Sequence, residues 1–251
     1  MGWSIAILGI TAFSLAVYPS VREASEFNDF IDGLPVAMQQ SLGLDSGVLF
    51  TSAPGYLQSR LFASFLPVLA VVFAVSMGTR ALGTSEEEGS LELLLTNPIS
   101  RRRVLLERAG AMAVIILAFG VVSAAAVLAM APLFGALDGV DIAGLFGACA
   151  GVTALALLHG SAAFAAGAVW GRRGRSIAVG AGVAVGGYVI QVVAAAAEVV
   201  RPLRWLSPWH WLLAHNMLVD GVDWLALALP LAVAAVMVAV GAVVFERRDL
   251  R

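Results

Sequence analysis

The chain alternates long, nearly unbroken apolar runs with short polar segments. Six runs stand out, at about residues 3–17, 61–82, 104–133, 142–170, 176–200 and 224–245. Crossing the roughly 30 Å of bilayer hydrocarbon takes about 20 residues in a helix. No water is present there to satisfy backbone N–H and C=O groups, so each run is expected to close its own hydrogen bonds as an α-helix. The pattern predicts an all-α, polytopic membrane protein, with residues 1–251 forming a single transmembrane domain of six spans. The run at 3–17 is the shortest. It lacks a basic flank and a clear small-x-small cleavage site, so it reads as an uncleaved span and not as a signal peptide.

The polar segments give the spans a direction. Basic residues collect in cytoplasmic loops close to the membrane. With both termini inside, Arg80, Arg101, Arg102, Arg103, Arg108, Arg172, Arg173, Arg175, Arg247, Arg248 and Arg251 are cytoplasmic, and only Arg22, Arg60, Arg201 and Arg204 are outside. Eleven against four predicts a multi-pass plasma-membrane protein with both ends cytoplasmic. The outer loop at 18–60 is long enough for a short helix, expected near 34–42. The outer stretch "RPLRWLSPWHWLLAHNM", residues 201–217, carries three tryptophans, whose amphipathic rings suit the headgroup level. It is expected to be interfacial or partly re-entrant, with a break at Pro208.

Composition agrees and narrows the function. The chain is 60% hydrophobic and 13% charged, with a mean hydropathy of +0.92, where a soluble domain carries about 25% charge. All 15 basic residues are arginine. A P-loop needs a lysine to reach the nucleotide phosphates, so this chain is no conventional P-loop ATPase. The net charge of −2 gives no sign of a nucleic-acid partner. The single cysteine, Cys149, lies in an apolar run and reads as a small buried residue; it cannot form an internal disulfide. His210 and His215 are five residues apart, which does not place them on one helical face, so no metal site is expected there. Neither H-E-x-x-H nor G-x-S-x-G occurs, and no span holds a carboxylate pair, which argues against an intramembrane enzyme. An ion-coupled transporter would keep ionisable groups at mid-membrane. Here His159 and Gln191 are the main polar side chains of the span interiors, Glu107 and Glu198 lie toward the ends, and His159 is expected to make a helix-to-helix hydrogen bond. The spacings Gly147-x-x-x-Gly151, Gly167-x-x-x-Gly171 and Gly182-x-x-x-Gly186 suit close helix packing in general.

One segment departs from the apolar background: "TSEEEGSLELLLTNPISRRR", residues 84–103, between the second and third spans. Ser85-x-x-Glu88 fits a capping box, and Glu86 to Glu88 would sit in a helical first turn, where negative charge is favoured. Leu91, Leu94 and Leu95 share a face by their i, i+3, i+4 spacing, and Pro98 would end the helix. The result is a short amphipathic helix over about 85–97, after which Ser100 can cap the third span. Helices that lie on lipid carry basic polar faces. This one has four glutamates and no basic residue, which points to a protein partner. Arg101 to Arg103 can reach lipid phosphates, and one of them can pair with a glutamate of the short helix or with a partner's carboxylate.

"EEEGSLELLLTNPISRRRVLLER", residues 86–108, closely resembles a signature of ABC transporter permease subunits of the type-two export family. There it usually reads E-E-x-G-T-L-[DE]-L-L-L-x-x-P-[VI]-S-R, so Ser90 is a mild departure. "SAPGYL" before the second span, "WLSPWHW" between the fifth and sixth, and the ending "FERRDLR" extend the likeness over nearly the whole chain. The family often carries an amphipathic helix before its first span, whereas this apolar run starts at Trp3. The resemblance implies that the loop is a coupling helix docking into a separate ATPase subunit through Glu86, Glu87, Gly89, Leu91, Glu92, Leu94, Leu95 and Pro98. Arg101 and the "GRRGR" turn with Arg172 and Arg173 would add cytoplasmic contacts. ATP and Mg would be bound by the partner, not by this chain. A second permease, identical or sister, would complete the membrane part. The implied activity is ATP-driven export by alternating access, and the competing expectation is an ion-coupled carrier using His159.

Overall fold

The computed structural model describes residues 2–24, 26–34, 38–39, 48–89, 100–196 and 198–248. Regular structure among them is entirely helical. The first span is α1 (Gly2–Glu23), followed by a short α2 (Glu26–Asp32). The second is α3, one long helix over Ala53–Glu87. The third is α4 (Arg101–Met130), prolonged by a 3₁₀ turn to Phe134. Then come α5 (Ile142–Trp170) and α6 (Arg173–Ala196). A 3₁₀ helix (Glu198–Leu206), α7 (Pro208–Leu213) and α8 (Met217–Asp220) lead to the last span, α9 (Trp224–Arg247). The six long helices are apolar enough to cross a membrane, as the runs of apolar residues predict. Several extend past those runs: α3 adds about two turns before residue 61, where the helix leaves the hydrocarbon depth that hydropathy reads.

The helix ends follow the local sequence. Ser100 caps α4 as expected, its hydroxyl accepting from Arg103 N at 3.3 Å. Asp141 caps α5 through Ala143 N and Gly144 N, and Asp223 caps α9 through Leu225 N and Ala226 N. Ser85 departs from expectation. No new helix begins there, because α3 runs through it; Glu88 N bonds to Thr84 O in the helical pattern and the Ser85 hydroxyl donates to Arg80 O at 3.0 Å. The capping-box reading is therefore wrong. A hydroxyl can reach five residues back because α3 widens into π-helical turns at Arg80–Thr84, as it does at Leu57–Phe65, where Ser64 donates to Ser59 O. The widening at 80–84 also exposes Ala81 O, which accepts from the Arg108 guanidinium on α4.

The core is built around α5. In its most apolar stretch 78% of residues are buried, against 17% for α9. Helices α3, α4, α6 and α9 surround it, and α1 packs outside α3 and α4. Small residues set the spacing. A Cβ on Gly78 of α3 would lie 2.1 Å from Gly160 O, and one on Gly120 of α4 would lie 2.1 Å from Thr153 Oγ1. Gly147 and Gly151 receive side chains of the 212–222 segment, and Gly167 faces Gly83 across the α3–α5 contact. Gly182 and Gly186 meet nothing within 4 Å, so the third small-residue pair makes no close helix contact among the described residues. Aromatic rings tie the outer layer together: Trp3 packs edge-on against Phe73, and Phe73 stacks on Phe119 at 5.1 Å.

In the 24–52 connection the described helix is α2, earlier than the expected 34–42, of which residues 35–37 and 40–42 lie outside the described residues.

Candidate functional site

Five helix ends meet at the arginine-rich end of the bundle: the end of α3, the start of α4, the end of α5 and the start of α6 across their turn, and the end of α9. The local sequence explains why they converge. Helix α5 stops at Gly171, whose φ of +60° places it in the left-handed region that glycine tolerates, and α6 starts two residues later. Helix α3 stops at Gly89 in the same way, with φ +71° and its N–H donating to Glu86 O.

Glu86, on the last turn of α3, does not face solvent. Its carboxylate pairs with Arg248 at the end of α9, and the side chains are only 9% and 17% exposed respectively. The same carboxylate lies against Gly171: a Cβ there would sit 2.2 Å from Glu86 Oε1. Glu87 Oε1 accepts the backbone N–H of Arg173 at 3.0 Å. Arg101 donates from Nη1 to Arg248 O at 2.5 Å, and the Arg248 guanidinium lies 5.8 Å from the centroid of the buried Phe245 ring. Thus Glu86, Glu87, Arg101 and Arg173 come together, with Arg172 exposed beside them.

The arginine triplet divides its roles. Arg102 lies 4.0 Å from Glu246 and Arg103 bonds Glu107 at 2.8 Å, both at exposed positions where such pairs contribute little. None of the three pairs with Glu86, Glu87 or Glu88; the Glu86 partner is Arg248. Leu91, Glu92, Leu94, Leu95 and Pro98 lie outside the described residues. Sequence reasoning missed two residues here. Arg248 belongs to "FERRDLR", where a charge at a helix end reads as solvated, and Gly171 belongs to "GRRGR", where it reads only as a turn.

At the opposite end the tryptophan-rich segment folds back onto the bundle. Pro208 opens α7, with Ser207 as the cap. Trp209 is 4% exposed and donates from Nε1 to Ala184 O at 2.9 Å, so it is a packing residue of α6 and not an interfacial one. Trp205 stays half exposed, and its carbonyl accepts from Trp211 Nε1. His210 is buried with its ring edge-on to Trp205; burial, with Arg204 and His215 adding to it, pushes its pKa down to about 4. His215 lies 3.7 Å from Asp223 Oδ2. Among the described residues no three metal-ligating side chains cluster.

His159 is wholly buried in α5, but its Nδ1 bonds Leu155 O of its own helix at 2.8 Å, where a bond to a neighbouring helix was expected. It forms no ion pair among the described residues. The i−4 carbonyl lies within reach of the ring, and the nearest aromatic neighbour, Trp209, gives its N–H to Ala184 O instead. Beside this region an apolar cleft of about 330 Å³ lies among α5, α6, α7 and α9, lined by Leu158, Gly186, Ile190, Pro208, Trp211 and Met237.

The site is thus an assembly of helix ends, without a constellation for chemistry among the described residues. No curated protein and no solved structure matches the chain. The family model described as "ABC-2 family transporter protein" matches residues 4–250, and this chain, a multi-pass membrane permease, belongs to that family.

Proposed function

We propose that the chain is the membrane-spanning subunit of an ATP-driven exporter, and that it couples ATP hydrolysis by a separate ATPase subunit to efflux by alternating access. Membership of a permease family that lacks an ATPase domain implies the ATPase partner. The observation that carries the finer reading is where the 86–98 segment is rooted. Its described flanks, Glu86 to Gly89 and Ser100, lie on the arginine-rich end beside the Gly171–Arg173 turn. On this reading that end is cytoplasmic, both termini lie there, and Glu87, Gly89, Leu91, Glu92, Leu94, Leu95 and Pro98 form the docking element, with Glu86 turned inward at its root. Arg172 and Arg173 flank it and favour an acidic patch on the ATPase. ATP and Mg belong to that partner. Two permeases and two ATPases make the working unit, and nucleotide-driven approach of the ATPases moves the coupling loops and switches the spans.

An ion-coupled carrier finds less support, because His159 is bonded within its own helix and makes no ion pair among the described residues. The test is purification in mild detergent from the native membrane, with mass spectrometry and an ATPase assay, repeated with Leu94→Arg. A P-loop ATPase that accompanies the parent chain and is lost from the variant upholds the reading. Recovery of the chain alone and inert removes its energy source and overturns it.

A further inference from the structure

We infer that Glu86 and Arg248 form a clasp, seated on Gly171, which sets the position of the coupling loop and ties it to the last span. The inference rests on the exporter reading above and assigns positioning roles to Arg248 and Gly171, with Glu86 acting inward and not as a direct contact with the ATPase.

A glutamate on the last helical turn before a loop gains most by staying in water, because a buried carboxylate loses its hydration unless it is paired. Glu86 is turned back into the protein, 9% exposed, and its pairing is complete enough to hold it there. Three independent contacts make up the arrangement. The Arg248 guanidinium takes the carboxylate. Gly171 leaves the space, since even an alanine would put Cβ 2.2 Å from Oε1 and 2.3 Å from Cδ. Arg101 holds the Arg248 backbone from the start of α4, through Nη1 to O at 2.5 Å. Next along the chain, Glu87 is bound by Arg173 N, so two successive carboxylates anchor the loop root to the α5–α6 turn and to α9.

The topology gives this a consequence. By chain connectivity the loop is joined only to α3 and α4. Through the clasp it is joined also to the ends of α5 and α9 and the start of α6. A displacement of the loop by its partner therefore reaches the sixth span directly. Without the clasp the loop could still be gripped, but the grip would pull on α3 and α4 alone.

The experiment uses the full chain with the ATPase that accompanies it, in proteoliposomes. Arg248→Ala, Glu86→Gln and Gly171→Ala should each leave the amount of ATPase bound unchanged. Each should lower the ATPase rate of the complex by about fivefold or more, the size of an ordinary coupling energy. Gly174→Ala, at a position where nothing lies within 4 Å, should have no effect. The reversed pair Glu86→Arg with Arg248→Glu should recover most of the rate lost by either reversal alone. Hydrogen exchange on the permease alone should show residues 84–88 protected in the parent and released in Arg248→Ala. Unchanged rates in all three single variants, or a reversed pair no better than its worse member, overturn the clasp. If no ATPase accompanies the parent chain, the exporter reading fails, and the loop-positioning role fails with it. The exchange data then still decide the contact: protection lost in Arg248→Ala upholds it, and rapid exchange in the parent refutes it.

Discussion

Single side chains at the two ends of the bundle answer to different physics. At the arginine-rich end, position is set by charge pairing in a confined space; at the opposite end, burial dominates. His210 illustrates the second case. Its imidazole is held neutral, with its pKa pushed down to about 4 by burial first and by Arg204 and His215 second. An unfolded histidine titrates near about 6.5. Between these values the unfolded chain binds the extra proton and the folded one does not. The contribution of His210 to stability is therefore full above about pH 6.5 and is lost as pH falls toward 4. His210→Phe keeps a ring against Trp205 and removes the titration. Thermal unfolding in detergent from pH 8 to 4 should show a shallower acid-side loss for the variant; identical slopes would remove His210 from the account. The sequence singled this residue out only as one of two histidines, because "WHWLLAH" places them alike. Only the fold separates them, burying His210 and leaving His215 beside Asp223.

Among elements, the contact between α3 and α5 is one of close backbone approach, and it depends on hydrogen in place of a methyl group. Gly78→Ala would drive Cβ to 2.1 Å from a backbone oxygen that cannot rotate away. The expected cost is that of overpacking, about 1–3 kcal/mol. Gly182→Ala, with open space around it, should be neutral or slightly stabilising. Melting of the two purified variants side by side checks this, and equal melting points would contradict the crossing. The elements themselves were legible in the sequence, since six apolar runs can only become helices in hydrocarbon and their caps at Ser100, Asp141 and Asp223 are chemically explicit. What escaped was the partner of each face. Gly78 stands outside the Gly-x-x-x-Gly pairs, and its partner is Gly160 on another helix. The Ser85 capping box failed because a wide turn at 80–84 let α3 continue through a sequence that otherwise reads as a start. Trp209 read as an interfacial ring because composition cannot tell a tryptophan facing lipid from one facing a helix carbonyl.

For the whole molecule, the family and its membrane architecture were legible in order and spacing along the chain, and the candidate site was legible only in part. The sequence located the loop and its charges but not the inward turn of Glu86, which depends on a residue 162 positions away. The proposed function requires the spans to rearrange, and the core limits how they can do so. Helix α5 meets α3 with backbone against backbone at Gly78 and Gly160, and it meets α4 where Thr153 fills the space over Gly120. Contacts of this kind cannot slide by a fraction of an ångström without collision. On the proposed exporter reading these three spans are expected to move together, with the rearrangement falling between them and the more exposed α9. Spin labels paired between α3 and α5 should report one distance in nucleotide-free and nucleotide-trapped complexes, and labels between α5 and α9 should report two. A variable α3–α5 distance would refute the division. In the proposed exporter, three of the six spans would then serve as a fixed wall, and the substrate would pass along the spans that move against it.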